Sequence, residues 1–98
     1  MKKRLICVIS GRVQGVLYRA FARETADKLD IKGEVQNLPD DTVKVTAEGD
    51  EEKLQEFQQA LQRGSAFSKV EKVLCESGDI LTGYDDFKIK YRGFFDRF

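Results

Sequence analysis

A chain of 98 residues is long enough for one domain with a single modest core, and too short for a cofactor domain beside a substrate domain. Charged residues make up 35% and hydrophobic ones 41%, a globular balance, and 17 basic residues cancel 17 acidic ones, so nothing global draws nucleic acid or an anionic membrane. With no histidine and only Cys7 and Cys75, neither a disulfide framework nor a mixed Cys/His zinc site is expected, and no metal or cofactor is called for.

Lys2, Lys3 and Arg4 precede an apolar run, Leu5 to Ser10, that is too short for a secretory core or a membrane span. The chain therefore reads as cytoplasmic, soluble and one domain over residues 1–98. The run itself is β-branched and suits a buried central strand, ended by Gly11. Tyr18, Ala22, Thr25, Ala26 and Leu29 then recur at helical spacing, with Arg23, Glu24, Asp27 and Lys28 on the other face. Asp30 to Gly33 closes this helix, and a second strand from about Glu34 to Leu38 reaches the turn residues Pro39 and Asp40. From Thr42 to Glu48 the side chains alternate, Val43, Val45 and Ala47 inward and Thr42, Lys44, Thr46 and Glu48 toward solvent. Gly49 breaks that strand, and Asp50 caps a second helix whose stripe is Leu54, Phe57 and Leu61 and whose stop is Gly64.

Val70 to Glu76 reads as a fourth strand, in which Val70 and Val73 are out of phase for a period of two, so a bulge or register change is expected there. Phe87, Ile89 and Tyr91 alternate with Lys88 and Lys90 in a short last strand, and the tail from Gly93 to Phe98 has no assignment. Cys7 and Cys75 both sit in apolar runs and read as buried reduced thiols, a Cys7–Cys75 bridge being the minor alternative. The element order predicts an α+β fold, a ferredoxin-like βαββαβ sandwich with an antiparallel sheet, two helices on one face and a short extra C-terminal strand.

The chemistry concentrates in the loop Gly11 to Arg19, two glycines framing a stretch that runs into a helix start. The first amides of a helix have no internal partner and, with the helix dipole, form a ready anion site. The second helix supplies its own negative cap with Asp50, Glu51 and Glu52. The first has no Ser, Thr, Asp or Asn at its start, so an incoming phosphate could take that place, with Arg19 as a forked, permanently charged donor. By itself this pattern is also that of an ordinary turn with a surface salt bridge.

The wording of the loop goes further. Gly11-Arg12-Val13-Gln14-Gly15-Val16, then an aromatic residue and Arg19, closely resembles the signature of the acylphosphatase family. A second family signature is matched by Gly33-Glu34-Val35-Gln36-Asn37, then Val43 and Gly49. The resemblance implies hydrolysis of acyl phosphates to a carboxylate and inorganic phosphate. It implies that Arg19 and the amides of Gln14, Gly15, Val16, Leu17 and Tyr18 hold the phosphoryl group while Asn37 orients the attacking water. Without the first motif, Asn37 would read as a turn former. Tyr18 stands where the family usually has Phe, Glu34 where an aromatic is frequent, Asp41 where Gly is frequent and Ser65 where Pro is common. The turn after Asn37 is therefore expected to differ in shape, and the Tyr18 hydroxyl to need a partner.

Acyl phosphates carry a good leaving group, so cleavage requires no strong acid, and loose phosphoryl transfer leaves catalysis to positioning and charge. A site without histidine is consistent with that chemistry. The expected partner is a small acyl phosphate, met by a monomer with no nucleic-acid or membrane partner. A non-catalytic module that keeps the motif as scaffold is the runner-up, and Arg19 with Asn37 is the pair that discriminates against it. An RNA-binding βαββαβ domain would expose aromatics on its central strands, where Cys7, Ile9, Val43 and Val45 offer none. Phe94, Phe95 and Phe98 suggest docking of the tail on the domain or a partner contact.

Overall fold

The computed structural model describes residues 1–93 and residue 96. Seven elements follow in chain order: β1 (Lys2–Arg12), α1 (Tyr18–Lys28), β2 (Lys32–Asn37), β3 (Val43–Asp50), α2 (Glu51–Arg63), β4 (Lys69–Gly78) and β5 (Phe87–Lys90). They build one sheet in the order β4-β1-β3-β2-β5. Tyr18, Ala22 and Ala26 of α1 and Leu54, Phe57 and Leu61 of α2 enter the same core as Leu5, Cys7, Ile9, Val43, Val45 and Ala47, so both helices cover one face. Burying a side chain the size of Phe57 contributes about 2–3 kcal/mol, and its ring meets Phe87 edge-on at 5.9 Å between centroids.

The predicted architecture holds, with corrections that have physical causes. The sheet is mixed rather than antiparallel, because β5 pairs parallel to β2, Gly33 opposite Phe87 and Gln36 opposite Lys90. Gly11 does not end β1. At φ 125° it lies inside the strand, where a Cβ would collide with the Lys69 carbonyl. Gly33 likewise belongs to β2, pressed against the Thr46 carbonyl, and β3 runs on through Gly49 to Asp50. The expected irregularity in β4 is present: Ser10 pairs with Lys72 and Gly11 with Val70, which leaves Glu71 as the extra residue.

The outer face of β3 is not simply solvent-exposed. Thr46 and Glu48 are buried, and the Glu48 carboxylate accepts the main-chain N–H groups of Thr82 at 2.6 Å and Gly83 at 3.0 Å. Burial pushes its carboxyl up, but these amides outweigh that and hold it below the ordinary carboxylate value. Cys7 and Cys75 are not reduced thiols here: they face each other across the β1–β4 register and form a disulfide. Among the described residues, no helix is long and apolar enough to cross a membrane.

Candidate active site

The β1–α1 loop is curled by two left-handed residues, Gly15 at φ 72° and Leu17 at φ 64°. Leu17 is the N-cap of α1. It offers no side-chain cap, and the first turn of the helix holds no acidic residue. Among the described residues, the amides of Gln14 to Ala20 have no acceptor, so the loop leaves a run of main-chain donors without an internal partner. Leu17 itself is exposed.

Two side chains hold this loop in place. The Tyr18 hydroxyl donates to the Leu61 carbonyl at 2.7 Å, fixing the start of α1 to the end of α2, and burial pushes its phenol well above the ordinary value. That is the partner the extra hydroxyl needed. Gln14 Nε2 donates to the carbonyls of Leu38 at 2.9 Å and Thr42 at 2.8 Å, tying the loop to the β2–β3 turn. The turn keeps a tight shape because Asp41 adopts the left-handed conformation at φ 70° that glycine would take. Leu38 N–H donates to the Thr42 carbonyl at 2.8 Å, and Asp40 Oδ1 accepts the Thr42 hydroxyl at 2.6 Å and its amide at 3.2 Å. The Thr42 hydroxyl, followed by its amide, holds the Asp40 carboxyl below the ordinary value.

Arg19 in the first turn of α1 and Asn37 at the end of β2 are both buried, 8% and 3% exposed. They meet at a third residue. Asp96 Oδ2 lies 3.2 Å from Arg19 Nη1, Arg19 Nη2 donates to the Asp96 main-chain carbonyl at 2.6 Å, and Asn37 Nδ2 donates to Asp96 Oδ1 at 3.0 Å. The Arg92 amide completes the set at 2.8 Å from Oδ2. Burial pushes the Asp96 carboxyl up, but the Arg92 amide, the Asn37 amide and the Arg19 charge prevail and hold it below the ordinary carboxylate value. The Tyr91 ring lies 5.0 Å from the Arg19 guanidinium carbon, a cation–π contact. Asn37 Oδ1 is buried with no hydrogen-bond donor among the described residues. A cavity of about 170 Å³ adjoins this cluster, bordered by Gly15, Leu17, Arg19, Arg23 and Tyr91.

The structure thus brings Arg19, Asn37 and the loop from Gln14 to Tyr18 to one place. Three contributors are not evident from the motifs: the Gln14 side chain, expected only to offer its amide, the Tyr91 ring and Asp96. A signal for Asp96 does exist, since it is the only acidic residue among the aromatics of the tail. Phe94, Phe95 and Phe98 lie outside the described residues.

A helix start with unpartnered amides, beside a buried guanidinium and a buried amide that meet on one carboxylate, marks a small α+β domain with a polar site at one end of its sheet. Comparison with known proteins narrows the class. The family model described as Acylphosphatase matches residues 5–89. An acylphosphatase of Bacillus licheniformis is 46% identical over 84 residues, 86% of this chain and 93% of the relative. The crystal structure of acylphosphatase from Bacillus subtilis matches with a TM-score of 0.87 at 41% identity, covering 93% of this chain and 100% of that one. An acylphosphatase structure from Coxiella burnetii matches with a TM-score of 0.85 at 28% identity over 91% of this chain and 93% of that chain. The chain belongs to the acylphosphatase family of hydrolases.

Proposed function

We propose that this chain hydrolyses acyl phosphates by holding the phosphoryl group in the Gln14–Tyr18 amides and the Arg19 guanidinium while Asn37 aims a water at phosphorus. The observation that carries this reading is the convergence of Arg19 and Asn37 on the two oxygens of a single carboxylate, Asp96. Two residues remote in sequence and both buried face one anion from different sides. The Asn37 Oδ1 that finds no donor within the described residues is free to accept a water proton, which sets a lone pair of that water toward the phosphorus.

In the step itself, the water oxygen forms a bond to phosphorus as the bond from phosphorus to the acyl oxygen breaks. The electron pair leaves with the carboxylate, and the water's proton passes to the phosphate product or to solvent. No acid is needed for so good a leaving group, and charge on the equatorial oxygens is met by the amides and Arg19. The same reading takes residues 1–98 as one domain, monomeric and cytoplasmic. It acts on a small molecule without metal, cofactor, nucleic acid or membrane, consistent with a formal net charge of zero.

Benzoyl phosphate hydrolysis, followed by absorbance, tests the assignment. Arg19→Gln is expected to lose about 10³-fold or more in kcat/KM together with inorganic phosphate binding. Asn37→Ala is expected to lose turnover while phosphate binding stays measurable. Full activity in Arg19→Gln would end the assignment, and loss of both properties in a folded Asn37→Ala protein would make Asn37 a support for the loop.

A further inference from the structure

We propose that Asp96 is a built-in competitor for the phosphoryl site: its carboxylate occupies the place between Arg19 and Asn37 that the substrate's anion must take. Substrate then binds only as Asp96 leaves. This rests on the reading of Arg19 and Asn37 given above and adds to it a third, opposing residue.

The two anions call on the same groups. Each terminal nitrogen of the Arg19 fork already donates to Asp96, Nη1 to its carboxylate and Nη2 to its main-chain carbonyl, and the Asn37 amide donates to the other carboxylate oxygen. A phosphoryl group would have to take these same donors. The ion pair is also enclosed, with side-chain exposures of 9% for Arg19 and 7% for Asp96, so a second anion between them would meet the carboxylate without solvent to screen it.

The contact is specific rather than a loose surface pairing. Among the described residues, every other ion pair holds at least one side chain that is 60% or more exposed. Among these ion pairs it is Asp96 whose carboxylate is buried, and the Arg92 amide donates to it. That turn is closed by the Asp96 amide on the Gly93 carbonyl at 3.1 Å, which presents the side chain inward. Tyr91 adds a wall on the Arg19 side.

A competitor and a structural brace predict opposite changes. If Asp96 braces Arg19 for catalysis, its removal weakens anion binding. If it competes, its removal strengthens binding of every ligand of the site by one common factor, because the apparent affinity is reduced by the fraction of molecules in the closed form. The test uses the full chain, wild type against Asp96→Asn and Asp96→Ala. KM for benzoyl phosphate and the dissociation constant of inorganic phosphate, the latter read by calorimetry, are expected to fall together by at least about threefold. Phosphate added to wild type should also move the Asp96 side-chain carboxyl carbon resonance to the position of a solvated carboxylate.

Unchanged or weaker phosphate binding in both folded variants overturns the competitor. If wild type still shows Arg19-dependent turnover, the hydrolase reading survives that result. Conversely, tighter phosphate binding in Asp96→Asn with no turnover by any of these proteins supports the competitor and refutes the hydrolase reading.

Discussion

The two helices begin in opposite ways. Helix α2 starts from Asp50 in an extended conformation and carries Glu51 and Glu52 in its first turn, so its positive end is balanced by its own residues. No side-chain hydrogen bond from Asp50 completes that cap, so the balance comes from charge more than from capping geometry. Helix α1 starts from Leu17 in the left-handed region with no acidic residue in its own first turn, and in the proposed function its amides serve an outside anion. A helix start that lacks the usual cap is thus informative when a loop and a buried Arg frame it, and a well-charged start is a sign of plain structure.

The sharpest way to break this contrast is to give α1 what α2 has. Ala20→Glu places a carboxylate in the first turn of α1, beside Arg19 and Arg23 at the cavity. It is expected to raise KM for benzoyl phosphate at least about tenfold with the fold retained, as checked by kinetics beside a denaturation curve. A smaller effect is expected from relaxing the strained start. Leu17→Gly removes the left-handed penalty on an exposed side chain and should raise stability by up to about 1 kcal/mol, seen as a higher urea midpoint. Smallest of all, the pair Glu51→Gln and Glu52→Gln should cost about 0.3–1 kcal/mol per charge and leave benzoyl phosphate turnover unchanged. Equal effects of charge changes at both helix starts on KM would remove the distinction.

Much of this molecule is legible in the residues. The apolar stripes of α1 and α2, the bulge in β4 and the nearness of Arg19 to Asn37 follow from periodicity and from the two signatures. The departures occur where a partner distant in sequence decides the outcome. Gly11 and Gly33 look like punctuation, yet both are strand residues that make room for the Lys69 and Thr46 carbonyls, which no local rule reveals. Glu48 has the pattern of a solvent face and is buried because the segment before β5 lies over it. Cys7 and Cys75 become a bridge only once β1 and β4 are set in register. Asp96 contacts Arg19 across 77 positions of chain and Asn37 across 59, so its role is fixed by topology alone.

The direction of the last strand has a consequence for that tail. Because β5 runs alongside β2 in the same sense, it finishes one register step short of Asn37, at Lys90 opposite Gln36. An antiparallel β5 would have delivered the following residues to the far end of the sheet. As built, Asp96 lies a short way along the chain beyond Lys90, so its carboxylate is tethered close to the loop and meets it at an effective concentration on the order of millimolar or more. In the competitor proposal, an anion arriving from solution meets this tethered occupant, and the length of the tether sets how readily it gives way.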